Sequence, residues 1–246
     1  MKDPVCSMSV DLREARAMAI YQGRGYYFCS TECKKHFINE PGKYRESVRA
    51  ERLSIGVMGS AGANEGNGSV SLARALGEAI AVRGLILVTG ACPGLPYESA
   101  LGARDKGGLS VGISPALSLD EHIYKYQSPS DAFDVLIYTG SGLMGREVTN
   151  IRSSDMVIIA GGRSGTLGEF SIAYDEGKLI GVLQNSGGIT KVLPEIVKSI
   201  DKDSGAKLIY ESDPVKLVDK MISAYVEKFF HKPSCFCSAP EINARA

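Results

Sequence analysis

The sequence predicts an α/β protein: a Rossmann-like, mostly parallel sheet with helices on both faces, preceded by a small Cys-rich metal-binding domain. Three observations carry that prediction. Short apolar, β-branched runs alternate with stretches of helical spacing from about residue 53 onward. Glycine-rich turns follow the apolar runs that end at Met58, Thr89 and Ala160. The first fifty residues lack this alternation and instead place Cys6, Cys29 and Cys33 at ligand-like spacing.

The totals narrow the function classes. The chain has 246 residues, enough for one sizeable α/β domain and a small second one. Its 28 basic and 28 acidic residues cancel, so no electrostatic feature favours nucleic acid or an anionic membrane as the main partner. No apolar run reaches the roughly 18–20 residues that span a bilayer, and MKDPVCSMSV has no hydrophobic leader core. A cytoplasmic location is expected. In that compartment six cysteines favour metal or redox chemistry over structural disulfides.

Residues 1–48 read as the metal-binding domain. Cys29 and Cys33 are four apart, a spacing expected to turn both towards one point from a helical turn, and Cys6 is expected to supply a third soft ligand from a distant knuckle. Such a set suits zinc, copper(I) or a similar thiophilic ion; the alternative is that the cysteines are buried small hydrophobes. His36 is the local candidate for a fourth ligand, or else a packing or surface residue. The polar run from Pro41 to Arg52 is expected to be a short helical linker.

Residues 49–232 read as the Rossmann domain. LSIGVM (53–58) is its first strand, with Gly59, Ser60, Gly62 and Gly66 in the loop before a helix. LILVTG (85–90) is the second; Gly90 and the tight turn Cys92-Pro93-Gly94 follow, and Pro96 suits the first turn of the next helix. Cys92 is either a small filler at a crowded turn or a reactive thiol near a ligand. LSVGISPA (109–116) and FDVLIYTG (133–140) are strands, separated by an irregular stretch whose His122, Tyr124 and Tyr126 either stack on a base or cover a core edge. A helix then carries Arg146 and Arg152, either of which can also pair with Glu147 or Asp155 at the surface.

MVIIA (156–160) has the apolar, β-branched character of a strand buried on both faces. GGRSGT follows, and a helix begins with Leu167, Phe170, Ile172 and Ala173 at helical spacing. Strand, glycine turn and helix N-terminus in that order make an anion site. Gly161, Gly162, Gly165 and Thr166 are therefore expected to hold phosphate together with Gly59, Ser60, Gly90 and Gly94, because all these turns lie at the C-terminal ends of strands. KLIGVL (178–183) and AKLIYES (206–212) add strands, and a last helix starts at Asp213-Pro214. The tail from 233 to 246, with Cys235 and Cys237, is expected to be flexible.

Arg146, Asp155, Gly165, Thr166 and Glu169, spaced as R-x8-D-x9-GT-x2-E, resemble the signature of the LOG ("lonely guy") proteins, formerly misnamed lysine decarboxylases. The resemblance implies cleavage of the N-glycosidic bond of nucleoside 5′-monophosphates, with Arg146 and Glu169 as the catalytic pair, and it implies a homodimer. The sequence departs from the usual R-K and P-G-G-x-G-T pattern at Glu147 and Arg163, and Gly168 replaces an acidic residue. In this it is similar to a wider branch that includes the molybdenum-cofactor carrier proteins. DPVCSMSV and YQGRGYYFCSTECKKHFINEPGKY resemble a YHS domain, a metal-associated module related to the TRASH pattern.

The expected ligand is a nucleoside monophosphate or related phosphate-containing small molecule, and the expected metal is a thiophilic ion such as zinc or copper. The sequence specifies no organic cofactor. A non-catalytic nucleotide or cofactor carrier or sensor coupled to metal or redox state is the alternative reading, and a metal-trafficking protein is the second alternative.

Overall fold

The computed structural model describes residues 1–12, 14–62 and 66–230. The expected flexible tail with Cys235 and Cys237 lies outside the described residues.

The N-terminal module is a hairpin, β1 (Ala17–Tyr21) and β2 (Arg24–Phe28), followed by α1 (Thr31–Asn39) and α2 (Pro41–Tyr44). Ser30 caps α1 by accepting a hydrogen bond from the Cys33 N–H. Its small core is aromatic: Phe37 packs against Tyr21, Tyr26, Phe28 and Tyr44. The expected helical linker is corrected here. Only Pro41–Tyr44 is helical, and the chain then runs back along the hairpin, where Gly25 donates to the Glu51 carbonyl and Leu53 donates to the Gly23 carbonyl. The backbone groups at the hairpin turn thus find partners in the linker, which a helix would leave unpaired.

The larger domain follows in chain order as β3 (Ser54–Gly59), α3 (Asn67–Val82), β4 (Ile86–Thr89), α4 (Leu95–Asp105), β5 (Ser110–Ser114), β6 (Val135–Tyr138), α5 (Gly142–Arg152), β7 (Met156–Ala160), α6 (Ser164–Asp175), β8 (Leu179–Leu183), α7 (Leu193–Ile200), β9 (Lys207–Glu211) and α8 (Pro214–Ala224). Its seven strands are parallel, in the order β6-β5-β4-β3-β7-β8-β9. Every residue of β3, β7 and β8 is buried, as strands covered on both faces must be. One face packs on α3, α4 and α8 through residues such as Leu76, Ile80, Leu95 and Leu217. The other packs on α5, α6 and α7 through Ile151, Phe170 and Leu193. The sheet order reverses between β3 and β7, so their C-terminal ends leave a crevice at the switch point.

The irregular stretch after β5 contains one wide helical turn at Glu121–Lys125. His122 there is buried, with Nδ1 at 2.8 Å from Ser114 Oγ and Nε2 at 3.0 Å from the Pro129 carbonyl. It ties the loop to the end of β5, while Tyr124 is exposed. Asp213 caps α8 with Pro214 in the first turn, accepting from the N–H groups of Val215 and Lys216.

The two modules share one core. Met18 of β1 joins the apolar cluster that contains Ile55, Leu87 and Phe229, and Tyr27 lies against Phe230. Gly23 and Gly84 meet backbone to backbone: a Cβ on Gly23 would stand 1.9 Å from the Gly84 carbonyl oxygen. Both have φ of +72°, a conformation that favours glycine. Among the described residues no helix is long and apolar enough to cross a membrane.

Candidate functional site

The crevice at the switch point holds a cavity of roughly 380 Å³. Its walls come from the end of β3 (Gly59, Ser60), the end of β4 (Gly90, Cys92), α5 (Arg146, Glu147) and the start of α6 (Arg163 to Thr166, Glu169). Helix α6 has no side-chain N-cap, so the partial positive charge of its first turn faces this space.

Arg146 and Glu169 are buried together, with Nη1 at 3.6 Å from Oε1, and Asn150 donates to the same carboxylate at 3.5 Å. Burial pushes the Glu169 carboxyl up to about 7, with Arg146 opposing the rise and Glu147 adding to it. The Arg146 Nε and the Asn150 Oδ1 are buried without a partner among the described residues. Gly90 makes room for the guanidinium, because a Cβ there would fall 1.6 Å from Arg146 Nη1. The Cys92 thiol lines the same wall, and burial pushes it up to about 11, so it stays protonated at neutral pH.

The remaining glycines have distinct places. Gly59 approaches the Ala160 carbonyl across the strand pair, and Gly94, at φ +83°, approaches the Ser60 carbonyl. Gly161 donates its N–H to the buried Ser186 Oγ, which holds the turn from below. Gly162, at φ +96°, leaves space for the Thr166 side chain, and Gly165 and Thr166 line the cavity. Arg152 lies away from it, bonded through Nε to Glu176 at 2.7 Å.

Asp155 pairs with neither arginine. It accepts hydrogen bonds from the Ser54 N–H and hydroxyl at the opposite end of the sheet, locking β7 to β3.

In the N-terminal module the three thiols converge. Cys6 and Cys29 Sγ are 3.6 Å apart, and Cys29 and Cys33 Sγ 3.8 Å. Thiolates around an ion at ~2.3 Å stand about 3.8 Å from one another, so the spacing fits a thiophilic metal. Asp3 completes the cluster: its carboxylate, with all ligand atoms of the four residues within 4.8 Å, accepts from the N–H groups of Val5, Cys6 and Cys29. His36 does not join it. Its ring is exposed on α1, 3.8 Å from Glu32.

The fold and these two sites define a two-module α/β protein, a doubly wound parallel sheet with a polar switch-point pocket joined to a small thiol-carboxylate metal module. The chain belongs to the SLOG cluster4 family, which matches residues 52–218, and residues 1–48 match the YHS domain. An uncharacterized protein of Archaeoglobus fulgidus is 36% identical over 132 residues, covering 54% of this chain and 80% of that one. Among solved structures, the molybdenum cofactor binding protein of the phototrophic bacterium Rippkaea orientalis is 30% identical with a TM-score of 0.60, covering 71% of this chain and 98% of that one. The molybdenum cofactor carrier protein of Chlamydomonas reinhardtii is 28% identical with a TM-score of 0.58, covering 70% and 99%.

Proposed function

We propose that the switch-point pocket binds a phosphate-bearing nucleotide or nucleotide-like cofactor, and that the YHS module holds a thiophilic metal ion, zinc or copper(I), through Cys6, Cys29 and Cys33. The observation that carries the ligand reading is the meeting of a buried, incompletely paired Arg146 with the uncapped start of α6 in one cavity. Phosphate lies on the Gly161 to Thr166 turn, with Gly59, Ser60, Gly90 and Gly94 shaping the wall opposite. The likeness to molybdenum-cofactor-binding and carrier proteins supports a binding role for the same pocket.

A second reading, hydrolysis of a nucleoside 5′-monophosphate, is favoured by Glu169. A carboxyl that titrates near neutrality is suited to general acid-base work beside an anomeric carbon. Glu169 stabilises the oxocarbenium-like ribose or positions water, and Arg146 holds the substrate or the departing group. The bond from C1′ to the base nitrogen breaks and the water oxygen bonds to C1′, yielding free base and ribose 5-phosphate.

Thermal-shift measurements of wild type and Glu169→Gln with nucleoside monophosphates, with free base assayed in the same samples, test both readings. Stabilisation with base release that Glu169→Gln abolishes supports the hydrolase; stabilisation without release supports the carrier; no stabilisation refutes both.

The protein acts as a cytoplasmic homodimer in this proposal. The edge strand β6 leaves Val135, Ile137 and Tyr138 exposed, and Leu143 and Met144 are exposed on α5 beside the pocket, an apolar set that a second copy would cover. A monomeric mass by light scattering would overturn it.

A further inference from the structure

Resting on the ligand reading above, a second carboxylate in the same pocket carries an inference about what is bound. Glu147 reaches from α5 across the first turns of α6: its Oε1 is 3.6 Å from where a Cβ would stand on Gly165, and its Oε2 is 3.2 Å from that point on Gly168. The two positions are three residues apart on one helix face; a Cβ at 168 would crowd the carboxylate, whereas one at 165 would make ordinary contact with it. The side chain is half-buried and lines the cavity. Among the described residues it accepts no hydrogen bond and has no cation within 4.0 Å, so both oxygens keep their acceptor capacity. Arg163 lines the cavity as well, with Nη2 near Gly62. The pocket therefore presents cationic groups at Arg146 and Arg163 and an unsatisfied anion on the wall between α5 and α6.

We infer that Glu147 is a specificity-determining residue: its carboxylate accepts two adjacent hydrogen-bond donors of the ligand. A phosphate on the Gly161 to Thr166 turn keeps to the Gly161–Arg163 end, beside Arg163, because at the Gly165 and Gly168 wall it would meet the Glu147 carboxylate at short range. Two parts of a nucleotide-like ligand offer a matching pair of donors. One is the ring N–H and amino edge of a fused 2-amino-oxopyrimidine ring, as in guanine or a pterin; the other is a ribose cis-diol. A neutral or donor-poor group at the same place would leave a partly desolvated carboxylate unpaired.

Three probes separate the sources. Guanosine 5′-monophosphate carries both donor pairs, inosine 5′-monophosphate lacks the 2-amino group, and 2′-deoxyguanosine 5′-monophosphate lacks one hydroxyl of the diol. Dissociation constants for wild type and Glu147→Gln are read by calorimetry. Wild type is expected to bind guanosine monophosphate about tenfold or more tightly than one of the other two, which one identifying the donor pair. In Glu147→Gln, where one acceptor becomes a donor, that ratio collapses towards one while binding persists. Equal wild-type affinities for all three, or an undiminished ratio in Glu147→Gln, overturn the inference and leave the ligand reading standing. No binding of any of them to wild type removes both. The wild-type ratios decide the matter even if the variant folds poorly.

Discussion

Glu169 contributes stability that is present in acid and lost towards base, and replacing it with glutamine should remove that contribution. The carboxyl is enclosed by Arg146, Asn150, Glu147 and the wall that carries Cys92. Burial outweighs the neighbouring guanidinium and lifts its pKa from 4.5 to about 7. At ~1.4 kcal/mol per decade of proton affinity, this corresponds to about 3 kcal/mol of native-state preference for the protonated form. Below pH 4.5 both folded and unfolded chains hold the proton, and the stabilisation is fully present. Between 4.5 and about 7 only the folded state holds it, so stability falls as pH rises; above 7 both states have released it and the loss is complete. Glu169→Gln keeps the shape and removes the titration. Equilibrium urea unfolding from pH 4.5 to pH 8 should show wild type losing about 3 kcal/mol relative to the variant over that window. Glu147, whose carboxyl burial also raises, titrates in both proteins, so the difference curve reports Glu169 together with its coupling to Glu147. Parallel curves would refute the desolvated, loosely paired site on which the acid-base reading depends.

Gly90→Ala displaces the Arg146 guanidinium from its seat, and calorimetry on the folded variant should show nucleotide affinity falling about ten- to hundredfold, at ~1.5–3 kcal/mol for a lost charge-assisted hydrogen bond, with the melting temperature also lowered because the buried pair with Glu169 is disturbed. Asp3→Asn disturbs the carboxylate that ties the Cys6 and Cys29 knuckles, so competition titration with a chromophoric chelator should show zinc affinity reduced about ten- to hundredfold. Gly23→Ala drives a Cβ into the Gly84 carbonyl at a backbone of positive φ, and denaturant unfolding should register a loss of about 2–4 kcal/mol, with protease cutting accelerated between the modules.

What the sequence made legible is what local pattern determines. MVIIA occupies residues 156–160 as the fully buried β7, and Asp213-Pro214 starts α8, because each signal is complete within a few residues. The Cys6, Cys29 and Cys33 cluster was legible from ligand type and spacing. Asp3 was not. It stands two residues before Val5 in the same DPVC run, but its part depends on the Cys29 N–H, 26 residues away. Glu147 could be read only as a departure from a family pattern or as a surface partner for an arginine. Its meaning comes from Gly165 and Gly168 on another helix, and nothing in the spacing of α5 announces where that carboxylate lies. Likewise, the linker after Tyr44 has helix-compatible residues, yet the hydrogen bonds it makes with the β1–β2 turn outweigh that weak local preference.

The placement of the two sites also constrains how they can communicate. The metal module enters the larger domain at Leu53, immediately before β3, and its hairpin turn rests on Gly84 just before β4. These are the N-terminal ends of strands, whereas the pocket opens at the C-terminal ends, beyond Gly59 and Gly90. β3 is six residues long, so about 20 Å of strand separates them. Among the described residues none before Val57 lines the pocket. An ion held by Cys6, Cys29 and Cys33 therefore does not touch a ligand beside Glu169 in the same chain, and the shared core through Met18, Tyr27 and Phe230 holds the module in place where a lid would need to swing. Within one chain, an influence of metal on ligand affinity would have to pass through the β1–β2 seat to β3 and β4, where the Gly23–Gly84 contact joins the modules. If such an influence exists, Gly23→Ala should weaken it in a ligand titration with and without zinc, and an unchanged metal effect in that variant would refute this route.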